Sequence, residues 1–263
     1  MGRVLSATKP VTEEGKMYHV RVKPNEVGRY VLLPGDPDRV KVIAQLLEEP
    51  HLIVEHREFT VYNGYVEGEL VTVCSTGIGC PATAIAIEEL LSCGAKTFIR
   101  VGSCGAIQDY VKVGDLIIAT GAVRLDGSSR TYIFPEYPAV ASLQVLIELK
   151  KAAERLNFRH QVGIVASTDS FYVGQSRPGF KNYILPKHKN LINVLRKVNV
   201  LCFEMETSTL FTLANIYNFN AGSVLAVFAN RVTGDFQVKG EEEAAKTAVE
   251  CVRNLVLKEE KVK

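Results

Sequence analysis

The stretch Tyr30-Val31-Leu32-Leu33-Pro34-Gly35-Asp36-Pro37-Asp38-Arg39 contains the unit from which the fold can be read. Four strand-forming apolar residues run into Pro34-Gly35, which breaks the strand. Asp36 can then cap a helix with Pro37 at its first position, and Val40, Ile43, Ala44 and Leu47 recur at helical spacing. The unit is therefore strand, glycine turn, helix.

Reading outward, the same order returns. Val54 to Tyr65 alternates and contains Asn63-Gly64, a hairpin signal leading to a strand over Leu70–Cys74. A helix is predicted after Gly77 and Gly79, with Ala82, Ile85, Ala86 and Leu90 along one face. Thr97–Val101 and Asp115–Ala119 read as strands. Further on, the pattern predicts helices over about 142–156, 191–198, 205–217 and 241–257. Strands are predicted over 162–166, 200–203 and 222–229. Glu241-Glu242-Glu243 at the start of the last helix and Lys258 after its end suit the helix dipole. No repeat or low-complexity linker divides the chain. Apolar strands alternating with helices predict one α/β domain over residues 1–263, built on a mixed, largely buried sheet.

Composition narrows the function. The 263 residues are 47% hydrophobic and 23% charged, enough to bury a real core. Lys and Arg number 31 against 29 Asp and Glu, a net +2, which argues against a basic face for nucleic acid or an anionic membrane. No apolar run approaches a membrane span, and no signal-peptide core follows Met1. Met1-Gly2-Arg3-Val4-Leu5-Ser6 fits a loose myristoylation pattern, which in so short a stretch is usually accidental. Six cysteines, with no C-x-x-C pair and no histidine at metal spacing, predict a reduced, cytoplasmic protein without disulfides or structural metal.

In α/β folds ligands collect at the carboxyl ends of strands, and the unusual polar residues fall there. Gly35 to Arg39 offers a glycine, a helix N-terminus and a guanidinium to an anion; a capped turn with a surface arginine is the plainer alternative. Arg100-Val101-Gly102-Ser103-Cys104-Gly105 places an arginine at the end of an apolar strand beside a glycine turn. A guanidinium buried there needs an anionic partner, either an internal carboxylate or a ligand phosphate. Gly77-Ile78-Gly79-Cys80-Pro81-Ala82 matches G-x-G-x-x-A, but the strand that follows carries Arg100 where a dinucleotide site needs an acid. Glu204-Met205-Glu206 supplies either helix N-terminal charge or acceptors for a sugar diol. Gln175-Ser176-Arg177, after Phe171, joins an amide to a guanidinium and could read an N–H beside a C=O on a flat ring; an ordinary surface loop is the alternative. His19 and Arg57 carry no local constellation.

Together these motifs resemble the nucleoside phosphorylase family, most closely its uridine phosphorylase branch. The resemblance rests on Leu33–Arg39, His56-Arg57-Glu58-Phe59-Thr60, Cys74–Gly79, Arg100–Ser103, Gly105–Gln108, Val123–Gly127, Phe171–Arg177, Phe203–Thr207 and Ala229-Asn230-Arg231. It implies a partly barrel-like mixed sheet flanked by helices, and reversible phosphorolysis of uridine to uracil and ribose 1-phosphate. It also implies a phosphate cradle of Gly35, Arg39, Arg100 and Ser103, with Arg57 lent by a neighbouring subunit. Met205 and Glu206 would contact the ribose, with His19 from the neighbour at the 5′-hydroxyl. Phe171, Gln175, Arg177 and Arg231 would meet the base, and Arg100, Glu206 and Arg177 would carry the chemistry. Family resemblance further implies a hexamer built as a trimer of dimers, phosphate as co-substrate and no cofactor. Ala82 replaces a serine of an intersubunit potassium site, although Glu58 of that site is present. A purine or methylthioadenosine phosphorylase on the same fold is the alternative. Against it, Asn230 stands where the purine enzymes place an aspartate, with Asp235 a few residues on.

Overall fold

The structure is a computed structural model that describes residues 6–260, so Met1 to Leu5 of the myristoylation pattern lie outside the described residues. The chain begins with β1 (Tyr30–Leu33), α1 (Pro37–Ala44), β2 (Glu48–His56), β3 (Phe59–Val66), β4 (Glu69–Cys74), α2 (Cys80–Ser92) and β5 (Thr97–Ala106). There follow β6 (Leu116–Leu125), α3 (Ser128–Tyr132), β7 (Ala139–Val140), α4 (Leu143–Arg155), β8 (His160–Thr168), α5 (Pro186–Lys189) and α6 (Leu191–Lys197). The chain closes with β9 (Cys202–Glu204), α7 (Thr207–Tyr217), β10 (Asn220–Asn230) and α8 (Glu241–Glu260). Asp36 caps α1 as its sequence predicts, its carboxylate accepting from Asp38 N at 2.9 Å.

All the strands belong to one mixed sheet, in the order β10-β6-β8-β9-β5-β1-β4-β3-β2 with β7 on β6. Because β10 also pairs with β5, five strands close on themselves as a small barrel, and β1, β4, β3 and β2 extend from it as an open wing. Strand β5 is common to both parts. One of its edges pairs with β10 from Thr97 to Ala106. Its other edge pairs with β1 from Thr97 to Arg100, then with β9 at Gly105 and Ala106. Between these pairings, Val101 to Cys104 have no strand on that edge, so the sheet forks there.

The faces of β5 explain its rigidity. Phe98 packs with Ile87 and Leu90 of α2 and Leu210 and Phe211 of α7. Ile99 and Val101 pack on the opposite side with Val40 and Ile43 of α1, Leu149 of α4 and Val252 of α8. All are buried, and each large side chain contributes about 1.5–3 kcal/mol of transfer free energy. The fork is therefore held between two cores.

Two local expectations are corrected. Asn63-Gly64 lies inside β3, and the hairpin turn is Glu67-Gly68, both with positive φ (50° and 73°). Asn63 instead ties neighbouring backbone and side chain together. Its Nδ2 donates to Glu26 O at 2.8 Å and its Oδ1 accepts from Thr72 Oγ1 at 2.7 Å. At Gly64 an added Cβ would lie 2.6 Å from Leu47 Cβ. Likewise, the glycines after Arg100 form no turn. They continue β5 to Ala106, so Arg100 sits within the strand.

Candidate active site

The fork opens into a cavity of about 830 Å³. Gly35, Arg39, Arg100, Ser103, Phe171, Gln175, Arg177, Met205, Glu206 and Arg231 all line it. Thus residues far apart in the chain meet in one place. β1 delivers Gly35, β5 delivers Arg100 and Ser103, and the turn between β9 and α7 delivers Met205 and Glu206. α1 brings Arg39, and the segments after β8 and β10 bring the rest.

The floor is ionic. Arg100 is almost wholly buried; its Nε donates to Glu204 Oε2 at 3.1 Å and its Nη2 pairs with Glu206 Oε2. Its Nη1 is buried without a partner among the described residues. A buried donor left unpaired costs about 1–3 kcal/mol, more when charged, so an anion at this position removes a standing penalty. Space for the guanidinium comes from Gly102, where an added Cβ would lie 2.8 Å from Arg100 Nη2. Of the two alternatives for Arg100, the structure supplies the internal carboxylates, and it leaves one nitrogen over.

Glu204 holds the turn together. Its Oε2 also accepts from the backbone N–H groups of Glu206 and Thr207, both at 2.9 Å, and its Oε1 accepts from Ser167 Oγ. Glu206 Oε1 accepts from Gly79 N at 2.6 Å. Burial pushes the Glu206 carboxyl above its ordinary range, Arg100 pulls it down, and Glu204 adds repulsion. Beneath the turn, Asp126 accepts from Ser129 N and Oγ at 2.6 and 2.8 Å, Ser208 Oγ at 2.6 Å and Thr209 Oγ1 at 3.2 Å. Burial alone would raise its pKa, but these donors outweigh it and hold the carboxyl below the ordinary value. Sulfur and carboxylate atoms of Cys80, Asp126 and Asp169 lie within 4.8 Å of one another. The Asp126 oxygens in that group are already occupied by the donors just named.

Arg39 reaches the cavity from α1. Its Nε and Nη2 donate to Glu241 Oε1 at 2.9 and 2.5 Å, and its guanidinium lies 5.9 Å from the Phe228 ring centroid. Gly35 lies close to another backbone, since a Cβ there would come within 3.2 Å of Gly77 O.

Across the cavity the groups suit a flat heterocycle. Arg177 lies 3.9 Å above the Phe171 ring centroid, and its Nη1 donates to Phe171 O at 2.8 Å and Gln175 Oε1 at 2.5 Å. Gln175 is buried, its Nε2 donating to Thr168 Oγ1 at 3.2 Å, while Arg231 Nη1 donates to Gln175 O at 3.0 Å. Burial, then repulsion from Arg231, pushes Arg177 down to about 10. Two guanidinium groups held this close favour an electron-rich neighbour.

Asn230 also lines the cavity, but its side chain is fully committed. Nδ2 donates to Gln108 O and Val111 O at 2.9 and 2.6 Å, and Oδ1 accepts from Val232 N and Thr233 N at 2.8 and 3.1 Å. Asp235 accepts from Thr233 Oγ1 at 2.6 Å.

His19 and Arg57 do not line this cavity. His19 Nδ1 is 2.7 Å from Glu89 Oε1, and the Glu89 carboxylate also accepts from the backbone N–H groups of His19 and Val20. Arg57 lies 5.9 Å from the Tyr18 ring centroid. Sequence spacing missed Glu241 and undervalued Glu204. The first has no signal beyond a helix-start acid, whereas the second stood in view beside Glu206.

The sequence model of the phosphorylase superfamily matches residues 29–258. The chain is 55% identical over 253 residues to the uridine phosphorylase of Thermococcus kodakarensis, covering 96% of this chain and 91% of that protein. It is 37% identical over 248 residues to the Escherichia coli uridine phosphorylase (91% and 98% of the two chains). It is also 38% identical over 220 residues to a guanosine phosphorylase of Halorubrum lacusprofundi (84% and 86%). The last two relatives act on different bases at nearly equal identity, so base preference has to be argued from the residues around the cavity. Matched from β1 into α8, with its strand-end motifs gathered on one cavity, the chain belongs to the phosphorylase superfamily.

Proposed function

We propose that this chain catalyses the reversible phosphorolysis of uridine, giving uracil and ribose 1-phosphate. A phosphate oxygen bonds to C1′ as the C1′–N1 bond breaks, and the bonding pair leaves with the uracil ring. Positive charge grows on the ribose while negative charge grows on uracil. Gly35, Arg39, Arg100 and Ser103 hold the phosphate, with Arg57 of a neighbouring copy, and Arg100 Nη1 supplies the free donor. Holding the nucleophile beneath C1′ removes much of the entropic barrier. Glu206 accepts from the ribose diol beside Met205, and His19 of the neighbouring copy reaches the 5′ end. Such sharing makes an assembly of dimers, a hexamer in this reading, the working form. Phosphate is a co-substrate, and the reaction takes no cofactor.

One observation carries the base assignment: Gln175 and Arg177 face the cavity as an amide and a guanidinium linked at 2.5 Å, with Phe171 stacked on the latter. An amide and a guanidinium match the alternating N–H and C=O edge of uracil, and a donor where charge develops supplies about 2.7–4 kcal/mol. A purine reading finds no free acid at Asn230, whose polar atoms are already used by the backbone.

The test is turnover of uridine and inosine, each with and without phosphate. Uridine with phosphate should be the productive pair. Arg177→Ala should lower kcat/KM for uridine by about 10²–10³ while leaving the KM for phosphate unchanged. Faster turnover of inosine, or turnover without phosphate, refutes the assignment.

A further inference from the structure

We infer that Glu241, the first residue of α8, is the positioning residue that aims Arg39 at the phosphate; this rests on the reading of Arg39 as a phosphate ligand. A guanidinium has a side edge, Nε with Nη2, and an end edge, Nη1 with Nη2. Glu241 Oε1 takes both nitrogens of the side edge, and Phe228 lies against the group. The side chain of Arg39 is only 10% exposed, so it has little room to swing. What remains is the end edge, and Nη1 has no hydrogen-bond partner among the described residues. Fixing one edge leaves the other free for an end-on contact with an anion.

The approach of Glu241 is built into the chain. Gly240 precedes it at φ 92°, where an added Cβ would meet Gly114 O at 3.2 Å and Ala226 Cβ at 3.3 Å. This tight passage brings the start of α8 up to α1. Glu242 and Glu243 share the first turn, and Glu242 pairs with Lys246, so neighbouring acids already serve the helix dipole. Glu241 alone of the three is paired with Arg39.

Three variants separate positioning from helix stabilisation. Glu241→Ala removes the contact, Glu241→Asp keeps the helix-start charge but shortens the reach, and Glu241→Gln keeps an oxygen acceptor without the charge. The KM for phosphate should rise about tenfold in the first two and much less in the third, with the KM for uridine unchanged. In an Arg39→Ala background, Glu241→Ala should add nothing. An unchanged phosphate KM in Glu241→Asp and Glu241→Ala, or a fall in both Glu241→Ala and Glu241→Gln, overturns the inference. If Arg39→Ala itself leaves the phosphate KM unchanged, the underlying assignment of Arg39 fails instead.

Discussion

A single methyl group at Gly102 should disable the site from beneath. The Cβ of Gly102→Ala would lie 2.7 Å from Leu225 Cδ2, 2.8 Å from Arg100 Nη2 and 2.9 Å from Arg100 Cζ. These contacts are about 0.6–0.8 Å short of the ~3.5 Å at which such atoms rest. A free arginine tip would simply move aside. Here Glu204 and Glu206 pin it on two nitrogens, so relief must come from breaking one of those pairs or from shifting β5. Overpacking of this kind costs about 1–3 kcal/mol, and a displacement approaching 1 Å at a positioning group costs about 10²-fold in rate. Urea unfolding reads the first effect, and kcat/KM for phosphate reads the second. Gly68→Ala is the control: with φ at 73° and nothing within 4 Å, it should lose about 1 kcal/mol to backbone strain and keep its activity. If Gly102→Ala keeps parental activity and stability, Arg100 is not confined by its two carboxylates.

Two further substitutions probe groups with no free valence. Asn230→Asp replaces a donor to Gln108 O and Val111 O with an acceptor; it should destabilise by about 2–4 kcal/mol in urea and gain no inosine turnover, and purine activity at unchanged stability would contradict this. Asp126→Asn should cost about 1.5–3 kcal/mol at neutral pH by weakening the charge-assisted bonds from Ser129, Ser208 and Thr209. Because the native Asp126 carboxyl sits below its unfolded value, its stabilisation is complete above about pH 4 and is lost as pH falls through the native pKa. The Tm gap between variant and parent should therefore narrow below about pH 4, and a gap that widens there would refute the sign.

Much of this was legible in the sequence because the signals are local. Leu33 to Arg39 declares a strand, a turn and a capped helix within a few residues, and Gln175 with Arg177 places two complementary groups side by side. What was hidden depends on distance along the chain. Glu241 meets Arg39 across 202 positions, and Arg100 finds Glu204 across 104. No periodicity reports such pairs. Gly102 misled in another way: a glycine after an apolar run reads as a turn, yet here it stays in the strand to leave room for a neighbouring guanidinium. Asn63-Gly64 misled similarly, since a buried amide and a close approach require the same dipeptide as a tight turn. His19 and Arg57 were found by resemblance alone, and neither lines the cavity.

The two sides of the cavity come from different parts of the chain. Gly35, Arg100 and Glu206 stand on or beside β1, β5 and β9, held between two cores, whereas Phe171, Gln175, Arg177 and Arg231 stand on the segments that follow β8 and β10. The connection after β8 carries its cavity side chains outside any strand, whereas the one after β10 is tied back into the sheet, Arg231 N donating to Ala106 O at 2.8 Å and Phe236 bridging to Ala229. On the proposed assignment, new side chains at Phe171, Gln175 and Arg177 would redirect which leaving group departs, and the sugar-phosphate product would stay the same.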